Sequence, residues 1–361
     1  MDPVSLLQKI VATPGTSRDE GKRADLLMGE LGALGLQPVK QGRNIVCRIE
    51  RGKGPTLMLN THIDTVPPAM GYTRDPYNAE VKDGKIYGLG SNDAGGCIVS
   101  MTAATLALKE RKDWSGTLLL ALTVEEEVNG ADGMEALLKE IPLPDAAMVG
   151  EPTGLNVCIA QKGLVVMDCT NTGQSCHAAN AWRVPHKNAI LEAMGDIPKV
   201  YQIAFKDRDD FLGPTTLNVT VIQGGTVHNS IPDKCTWKID ARVNPAQSLD
   251  EVVETVRKAV SAEVSPRSLR LQPFRTSKDQ PIVHAALKAR PKATAFGSDA
   301  MSDATFLRSI PVIKVGPGVT EMSHKPDEYL DLHWIDEGIA FYRDAALNYF
   351  AALSVASRAL A

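Results

Sequence analysis

The chain contains 361 residues, of which 43% are hydrophobic and 23% are charged, and its formal net charge is −4. This composition is that of a globular protein long enough to form two domains. The weak negative charge excludes the strongly basic surface that nucleic acids and anionic membranes attract, and no apolar run approaches the ~18–20 residues of a membrane-spanning helix. We therefore expect neither a nucleic-acid partner nor a membrane partner.

The six cysteines are scattered along the chain and form no Cys-x-x-Cys pair. This pattern predicts reduced, mostly buried thiols rather than disulfides or a thiolate zinc site. The amino-terminal segment carries an acid at Asp2 and lacks the basic start of a signal peptide. Together these features predict a cytoplasmic protein.

The two ends of the chain, residues 1–161 and 274–361, alternate apolar strands with helical patterns. Such alternation is typical of an α/β sheet that is covered on both faces. We interpret the two segments as halves of one discontinuous α/β domain. The predicted strands are 56–60, 117–124, 146–150 and 310–316, and a long helix is predicted near 95–111.

Residues 162–273 follow a different pattern. In the segment CTWKIDARV, residues 235–243, apolar and polar side chains alternate strictly, which indicates a strand with one exposed face. The order strand, helix, strand, strand, helix, strand predicts a small α+β domain of the ferredoxin-like kind, inserted between the halves of the α/β domain. Its predicted elements are strands 164–170, 215–223, 235–243 and 267–272 and helices 185–197 and 249–260.

Polar side chains directly follow four of the apolar strands. In open α/β sheets the carboxyl ends of strands form the ligand crevice, so these side chains are expected to gather in one region. A glycine-rich loop, residues 88–96, adds Asp93 just before the long helix. The candidates at the strand ends are His62, Asp64, Glu125, Glu126, Glu127, Glu151 and His324.

Each of these residues taken singly has an ordinary structural explanation. A lone histidine is more often a surface or core residue than a ligand, and acids after strands are common turn and N-cap residues. The loop GLGSND lacks the third glycine of a dinucleotide-binding loop, because Asp93 stands there. The sequence has no P-loop and no Gly-x-Ser-x-Gly elbow, and adjacent Cys176 and His177 would point to opposite sides of an extended chain. The imidazoles and carboxylates remain as the candidate chemistry.

Imidazoles and carboxylates without thiolates suit a divalent transition metal. Zinc is the first choice, and cobalt and manganese are the alternatives. The convergence of about five or six candidate ligands favours two ions over one. Three carboxylates and a bridging hydroxide would also balance the charge of two divalent ions, with two neutral imidazoles completing the ligand shells.

Nine segments of the chain match, in order, the motifs of a known family. The sequence resembles the di-zinc metallopeptidases and deacylases that include acetylornithine deacetylase, succinyl-diaminopimelate desuccinylase, aminoacylase and glutamate carboxypeptidase. The pairing of GEPT with QKG is most similar to the acetylornithine deacetylase branch. The resemblance implies a mixed-sheet, phosphorylase/hydrolase-like metallopeptidase domain with an inserted ferredoxin-like domain that serves as lid and dimer interface. The segments are NTHIDTVPP, GLGSNDAGG, VEEEVNG, VGEPTGL with AQKG, GQSCHAA with NAI, GGTVHNSIP, IDARVNP, KVGPG and SHKPDEY.

The resemblance implies a two-metal site whose ligands occupy known motif positions. Asp93 would bridge the two ions, and Asp64 would orient His62 from behind. Glu151 stands where the family's aminopeptidases carry aspartate, and glutamate there is the pattern of deacylases and carboxypeptidases. The implied metal ligands are His62, Asp93, Glu127, Glu151 and His324.

The three consecutive glutamates would then have different roles. Family members usually read Asp-Glu-Glu here, so Glu125 takes the place of the aspartate as an acid that does not bind metal. Glu126 is the implied general base, and Glu127 binds the second metal. The reaction needs a carboxylate off the metals that takes the proton of water and passes it to the leaving amine.

The resemblance also assigns residues outside the metal motifs. His177 would reach the active site of the partner subunit and donate a hydrogen bond to the tetrahedral oxyanion. Asn229 and Arg242 would hold the substrate carboxylate, for which a guanidinium fork is suited, and Gly316 of KVGPG would contact the substrate. A surface strand residue is the alternative interpretation of Arg242.

Several positions depart from the family pattern. The usual GRGxxDxKG reads GLGSNDAGG, with Leu89 for arginine and Gly95 for lysine, and Asn129 stands where glycine is common. The family's GTDA segment corresponds either to GSDA, residues 297–300, or to SDAT, residues 302–305. Family members carry a cis peptide bond after the bridging aspartate, which here would join residues 93 and 94.

The residues and the resemblance together predict a cytoplasmic, homodimeric, zinc-dependent amidohydrolase that removes the acyl group from an N-acyl amino acid. The expected substrate is N-acetylornithine, or a related succinyl or citrulline derivative, in arginine biosynthesis. A dipeptidase, a succinyl-diaminopimelate desuccinylase or an acetyl-lysine deacetylase would share the same metal centre. A metal-free binding relative would be expected to lack a ligand or the base, and a monomeric hydrolase with a closed lid is a third alternative.

Overall fold

A computed structural model describes the backbone of residues 1–359 and the side chains of residues 1–354. The chain divides into two compact units. The domain boundaries predicted from the sequence are 161/162 and 273/274, which place residues 297–301 in the α/β domain. The first unit consists of Met1–Ile159, Thr276–Phe296 and Ser302–Ala361, and the second unit consists of Ala160–Arg275 and Gly297–Met301.

The helices and strands alternate through most of the first unit. No helix within residues 1–359 is both long enough and apolar enough to cross a membrane. The helices are α1 (Pro3–Val11), α2 (Gly21–Ala33), α3 (Gly96–Glu110), α4 (Met134–Glu140), α5 (Ala189–Gln202), α6 (Leu249–Ala259), α7 (Pro281–Ala289) and α8 (His333–Ala359). The strands are β1 (Val39–Gln41), β2 (Asn44–Arg51), β3 (Thr56–His62), β4 (Val81–Lys82), β5 (Lys85–Tyr87), β6 (Gly116–Thr123), β7 (Ala146–Val149), β8 (Val157–Gln161), β9 (Gly163–Thr172), β10 (Arg208–Asp209), β11 (Gly213–Pro214), β12 (Thr216–Gly224), β13 (Lys234–Val243), β14 (Glu263–Pro266), β15 (Phe274–Arg275), β16 (Ala295–Ser298), β17 (Val312–Lys314) and β18 (Tyr329–Asp331).

The first unit is built on a mixed β-sheet with the strand order β1-β2-β6-β3-β7-β17-β8. The central strands β6, β3, β7 and β17 are parallel to one another, while β1, β2 and β8 pair in antiparallel fashion. All eight residues of β6 are buried, which means that both faces of the sheet are covered at this strand. The α/β fold with a mixed sheet that the sequence predicts is confirmed.

Helix α3 and the loop before it lie in the core of the first unit. The helix packs against β3 and β6 and also contacts α1 and α8. Most of its residues from Gly96 to Leu108 are buried, as is typical of a helix inside a core. The amino end of α3, directly after Asp93, therefore lies in the interior.

The parallel strands of the sheet all end at one edge. His62 is the last residue of β3, and the three glutamates follow β6. Glu151 comes just after β7, and the segment that leads to His324 follows β17. The polar residues that follow the strands in the sequence are thus brought to one edge of the sheet.

Four antiparallel strands in the order β12-β13-β9-β14 form the sheet of the second unit. Together with α5 and α6 they follow the chain order β9-α5-β12-β13-α6-β14, which is the ferredoxin-like arrangement. Trp237 of β13 is buried in a core that includes apolar side chains of both helices. The second unit therefore has a hydrophobic core of its own.

Two elements of the second unit differ from the sequence prediction. The last strand is Glu263–Pro266 and not 267–272. Pro266, opposite Met167, is the last residue of the regular ladder with β9, although the N–H of Arg267 still donates to the Val166 carbonyl at 2.9 Å. Helix α5 begins at Ala189 and not at residue 185, because Asn188 caps it. The side-chain oxygen of Asn188 accepts a hydrogen bond from the N–H of Ile190 at 3.0 Å.

Candidate active site

The carboxyl edge of the first unit's sheet brings imidazoles and carboxylates within ligand distance of one another. They come from β3, from the loop before α3 and from the segments that follow β6 and β7. The residues lie far apart in the sequence, so only the parallel strands explain why they meet. Two groups of side chains have ligand atoms within 4.8 Å of one another, namely His62 with Asp93 and Glu127, and His62 with Glu126 and Glu151.

Asp93 lies between two imidazoles. Its Oδ1 is 3.2 Å from His62 Nε2, and its Oδ2 is 3.7 Å from His324 Nε2. His324 Nε2 is also 2.9 Å from Glu127 Oε2. Each oxygen of one carboxylate thus faces a different imidazole, which is the arrangement expected of a carboxylate shared by two ions.

Glycines allow the tight loop that carries Asp93. Gly88 and Gly90 have φ angles of 143° and 78°, in the region that side chains disfavour. At Gly95 a Cβ atom would lie 2.5 Å from the Gly90 carbonyl oxygen, so the family's lysine would not fit the loop as it is folded here. The peptide bond between Asp93 and Ala94 is cis, as the resemblance implies.

A buried arginine that the sequence analysis does not single out lies beside this loop. Arg23 of α2 donates from Nε to the Thr13 carbonyl and from Nη1 to the Ile63 carbonyl, both at 2.9 Å. Leu89, which replaces the family's arginine, is buried as an apolar side chain. Burial lowers the pKa of Arg23 to about 10, and nearby Asp64 acts against this shift. The first unit thus keeps a buried cation next to the His-x-Asp motif.

The outer two of the three glutamates have different partners. Glu125 has a φ angle of 59°, a left-handed conformation that turns the chain sharply after β6. Its Oε1 accepts a hydrogen bond from Arg43 Nη1 at 2.7 Å, and Arg43 also pairs with buried Glu20. Glu127, by contrast, reaches His324. Glu125 is therefore a buried, paired acid and not a solvated one.

Asp64 contacts both His62 and the turn that contains the three glutamates. Its Oδ1 accepts the N–H of Glu126 at 3.1 Å, and its Oδ2 accepts the N–H of Glu127 at 3.1 Å and the hydroxyl of Ser17 at 2.7 Å. His62 Nδ1 lies 3.0 Å from the Asp64 carbonyl oxygen and 3.4 Å from Oδ1. Since Nδ1 faces Asp64, Nε2 is the nitrogen of His62 that is left for a ligand.

Burial and crowding shift the pKa values of this cluster. Burial, reinforced by Glu151, raises the pKa of Glu126 well above its usual range. Burial and nearby Asp93 raise the pKa of Glu151 to about 8. Burial acts to lower the pKa of His62, but hydrogen bonds with Asp64 and Asp93 raise it well above its usual value. The cluster therefore retains protons that a metal ion would displace.

The donor set fits divalent metal ions. Glu151 Oε1 is buried and has no hydrogen-bond partner among the residues that the structure describes. A buried carboxylate oxygen without a donor is unfavourable unless a cation binds there. His62 Nε2 faces Asp93 at 3.2 Å and His324 Nε2 faces Glu127 at 2.9 Å, so an ion could replace a shared proton at each place.

The SDAT segment reaches this edge of the sheet. Buried Asp303 accepts a hydrogen bond through Oδ2 from Thr123 Oγ1 at 2.7 Å, at the end of β6. Asp299 of GSDA belongs to the second unit and pairs with Lys162 at 2.9 Å. Burial raises the pKa of Asp303 to about 6. Asp303 thus contacts the strand end from which the three glutamates emerge.

Three further candidates, His177, Asn229 and Arg242, lie in the second unit. His177 is exposed, and its Nδ1 accepts the N–H of Ala179 at 3.2 Å, which leaves the proton of the neutral ring on Nε2. Asn229 is exposed in the connection between β12 and β13. Arg242 is half-buried and donates to Asp240 from Nε at 2.9 Å and from Nη2 at 3.2 Å. His177 and Asn229 are thus far more exposed than His62 and Asp64 at the sheet edge.

Gly316 lies next to Glu151 and has no room for a side chain. A Cβ atom there would lie 2.5 Å from Cys97 Sγ and 2.6 Å from the Glu151 carbonyl oxygen. Its N–H donates to Thr153 Oγ1 at 3.1 Å, and its carbonyl accepts the N–H of Leu155 at 2.9 Å. Both polar backbone groups of Gly316 are therefore engaged within the protein, and the residue lets two segments approach closely.

Curated relatives match nearly the whole chain. An acetylornithine deacetylase from Edwardsiella ictaluri (strain 93-146) is 30% identical over 366 aligned positions, which cover 92% of this chain and 94% of that protein. A succinyl-diaminopimelate desuccinylase from Cereibacter sphaeroides (strain KD131 / KCTC 12085) is 30% identical over 389 aligned positions, which cover 97% of this chain and 100% of that protein.

Solved structures share the fold at lower identity. The aminopeptidase PepT from Bacillus cereus ATCC 10987 has a TM-score of 0.80 at 21% identity, covering 96% of this chain and 98% of that one. The Bacillus subtilis YXEP protein, described as a dinuclear metal-binding peptidase of the M20 family, has a TM-score of 0.75 at 16% identity, covering 97% and 98%. Residues 58–348 of this chain match the profile of peptidase family M20/M25/M40. The chain therefore belongs to peptidase family M20/M25/M40 and is a hydrolase of the M20 type.

Proposed function

We propose that this M20 hydrolase is a metal-dependent amidohydrolase that removes the acyl group from an N-acyl amino acid. The first candidate substrate is N-acetyl-L-ornithine, in arginine biosynthesis, and N-succinyl-ornithine and N-acetyl-citrulline are related candidates. The observation that carries the proposal is the position of Asp93, whose two oxygens face two different imidazoles. Glu151, where the family's aminopeptidases carry aspartate, favours a deacylase.

Two divalent ions, with zinc as the first choice and cobalt as the alternative, would be held by five side chains. The dinuclear metal site named for the Bacillus subtilis neighbour supports two ions rather than one. When bound, such ions polarise an amide carbonyl and lower the pKa of a water molecule. The proposed ligands are His62, Asp93 and Glu151 for one ion and Asp93, Glu127 and His324 for the other.

Glu126 is the proposed general base. It is buried, and Asp64 Oδ1 holds its backbone N–H at 3.1 Å. Its carboxylate would take a proton from water as the new C–O bond forms, and it would deliver that proton to the amine nitrogen as the C–N bond breaks. Water and amide are thereby converted into a carboxylic acid and an amine. Burial raises the pKa of Glu126, which makes its carboxylate a better proton acceptor.

Residues of the second unit would complete the site. In the neutral ring of His177, Nε2–H is a donor for the oxyanion of the tetrahedral intermediate, and a donor of this kind contributes about 2.7–4 kcal/mol in other enzymes. Arg242 would exchange its pairing with Asp240 for the substrate carboxylate, which a guanidinium binds through two parallel hydrogen bonds. Asn229 would contact the same carboxylate through its side-chain amide.

We infer a homodimer that forms through the second unit. Leu191, Met194 and Tyr201 of α5 are 61%, 59% and 58% exposed. Strand β12 is the edge of its sheet, and its Val221 and Ile222 are exposed as well. Exposed apolar side chains beside an unpaired sheet edge are typical of a surface that binds another chain. A second copy of this chain is the proposed partner.

We also propose a cytoplasmic location. All six cysteines lie in the described part of the chain as reduced thiols, and five of them are buried. Thiols of this kind persist in the reducing cytoplasm, where disulfides are rare. The proposed substrates, which are metabolic intermediates, would be available in the same compartment.

A succinyl-diaminopimelate desuccinylase is the second candidate function. The Cereibacter relative that carries this name is 30% identical to the chain, as is the Edwardsiella acetylornithine deacetylase. Both reactions hydrolyse an amide between an acyl group and an amino acid, so the same metal centre serves either one. An acetyl-lysine deacetylase or a dipeptidase would use this centre as well. A metal-free binding relative is disfavoured because all five proposed ligands and Glu126 are present.

Release of free amine separates these candidates. The protein is incubated with zinc or cobalt and with N-acetyl-ornithine, N-succinyl-ornithine, N-acetyl-citrulline, N-succinyl-diaminopimelate or a dipeptide. We expect one N-acyl amino acid to react at least about 100-fold faster than the dipeptide. Turnover should fall by about 10²–10⁴-fold in Glu126→Gln and persist in Glu110→Gln, a matched change at an exposed position. A dipeptide as the best substrate would contradict the deacylase assignment.

Mixing two inactive variants tests the proposed role of His177 across a dimer. A dimer with one Glu126→Gln subunit and one His177→Ala subunit would have one site with an intact base and an intact partner histidine. We therefore expect the mixture, after subunit exchange, to recover about a quarter of the wild-type rate. No recovery from a mixture that sizing shows to contain dimers would mean that His177 does not act across the interface.

A further inference from the structure

Glu328 is a buried glutamate of the SHKPDEY segment, and the mechanism above leaves it without a role. It is 1% exposed and lies four residues after His324 in the chain. Its Oε1 accepts the N–H of Asn92 at 2.9 Å and the N–H of Asp93 at 3.0 Å, and its Oε2 accepts the N–H of Gly90 at 3.1 Å. One carboxylate thus binds three backbone N–H groups of the loop that carries Asp93.

The same two segments are joined at further points. The side-chain oxygen of Asn92 accepts the N–H of Val319 at 3.0 Å, and its Nδ2 donates to the Val319 carbonyl at 3.1 Å. Strand β18 pairs with β5 in an antiparallel ladder, with Tyr329 opposite Tyr87. The Asp93 loop and the His324 segment therefore pack together, and the carboxylate of Glu328 lies between them.

Burial makes this position unfavourable for a carboxylate, and the hydrogen bonds from the backbone N–H groups are what offset that cost. Burial and nearby Asp93 raise the pKa of Glu328 to about 8, in spite of three N–H donors that act to lower it. An apolar side chain would leave the buried N–H groups of Gly90, Asn92 and Asp93 without an acceptor, which is costly for a fold. The loop conformation thus depends on an acceptor with two oxygens at residue 328.

We propose that Glu328 is a positioning residue of the metal centre, which fixes the backbone of the Asp93 loop against the segment of His324 so that the Asp93 carboxylate can serve two ions. This inference rests on the two-ion site proposed above. Glu328 uses both oxygens on the backbone, so it is not a ligand itself.

The substitution Glu328→Gln tests this role. A glutamine offers one acceptor oxygen and one NH2 group, so one or more of the three loop N–H groups would face another donor. Zinc affinity is measured on the folded, metal-stripped protein by competition with a chelator, and the cobalt-loaded protein is examined by visible absorption. We expect zinc affinity to fall by about 10–100-fold, as for other residues that hold metal ligands in place, and the cobalt spectrum to change.

Glu321→Gln is the matched control, because Glu321 is exposed on the same segment. Thermal unfolding of the metal-free proteins measures the effect on folding separately. Folded Glu328→Gln protein with wild-type zinc affinity and a wild-type cobalt spectrum would overturn the inference, even if its metal-free form were less stable. A wild-type protein that binds no ion would instead overturn the metal centre proposed above. Glu328→Asp, which keeps the charge but shortens the reach, replaces the glutamine variant if that variant does not fold.

Discussion

Two buried carboxyl groups, Asp196 of the second unit and Glu151 of the first, have opposite surroundings. Asp196 accepts hydrogen bonds from Asn171 Nδ2 at 2.7 Å, from Ser261 Oγ at 2.8 Å and from the N–H of Ala262 at 2.9 Å. Burial acts to raise the pKa of Asp196, but hydrogen bonds, that of the Ser261 N–H first, lower it to about 2. Glu151 Oε1 has no partner within the described part of the chain, and burial raises the pKa of Glu151 to about 8.

The contrast distinguishes an acid that stabilises the fold from one that is available for a ligand. The protein itself satisfies Asp196, so its charge is favourable as soon as the second unit folds. Glu151 lies among other carboxylates with too few donors, so its charge is unfavourable until a cation binds. We expect the largest effects at the acids of the candidate site, a smaller one at Asp196, and the smallest at Arg242, a guanidinium that belongs to neither group.

The substitution Glu126→Gln should separate activity from stability most clearly. We expect kcat to fall by about 10²–10⁴-fold, because the proton transfer loses its carboxylate. The metal-free protein should be as stable as wild type or more stable at neutral pH, since a buried carboxyl with a raised pKa opposes folding when it ionises. Steady-state kinetics and thermal unfolding measure the two effects. An active variant with its zinc content intact would refute the assignment of the base.

Removal of the metal should make stability depend on pH. The folded-state pKa of Glu151, about 8, exceeds its ordinary value of 4.5. Its contribution to stability is therefore complete below pH 4.5 and is lost as the pH rises through 8. We expect the metal-free protein to lose a few kcal/mol of unfolding free energy between pH 5 and pH 9, and zinc to remove most of this loss. Urea unfolding measures it, and identical profiles with and without zinc would count against the site.

The substitution Asp196→Asn should lower the stability of the second unit at neutral pH and leave activity unchanged. The folded-state pKa of about 2 lies below the ordinary value of 3.8. The contribution of Asp196 is therefore present above pH 3.8 and is lost as the pH falls through 2. We expect unfolding of the second unit to require roughly 2 kcal/mol less at pH 7, with unchanged activity per folded molecule. Asp210→Asn, at an exposed position of the same unit, is the control, and an equal loss in both variants would contradict the prediction.

The substitution Arg242→Lys should have the smallest effect on catalysis. Lysine keeps the charge but cannot form two parallel hydrogen bonds with a carboxylate. We expect kcat/KM to fall by about 10-fold, mainly through a higher KM, because binding and not chemistry is affected. Arg267→Lys is the control, since Arg267 is exposed in the same unit and pairs with Asp168 at 2.7 Å. A variant with wild-type KM would show that Arg242 is a surface residue paired only with Asp240.

The central strands were predictable because buried parallel strands have continuous apolar sequences. The strands predicted at 56–60, 117–124 and 146–150 are found at Thr56–His62, Gly116–Thr123 and Ala146–Val149. The last strand of the second unit was misplaced because the residues after Pro266 still alternate in part between polar and apolar side chains, although the regular ladder with β9 ends at Pro266 and only isolated backbone hydrogen bonds with β9 continue beyond it. Alternation alone does not show where the partner strand ends.

The residues of the candidate site were predictable because they stand in motifs directly after strands. The residues that support them were not. Arg43 lies 82 positions from Glu125 in the chain, and Glu328 lies 235 positions from Asp93. In the sequence these residues are ordinary surface-type charges, and only folding brings them to their partners. Arg23 is similar, because α2 gives no sign that one of its charged residues points into the core.

The sequence alone determined the fold class, the family and which residues are candidates for the site, since apolar periodicity and short motifs are local properties. The tertiary structure decided which carboxyl groups are satisfied and which are not. Glu125, Glu126 and Glu127 are chemically identical neighbours, yet Arg43 pairs with the first, burial among carboxylates isolates the second and His324 contacts the third. The physical reason is that a carboxylate's pKa and its available partners depend on distances across the fold, and the order of the residues does not specify these distances.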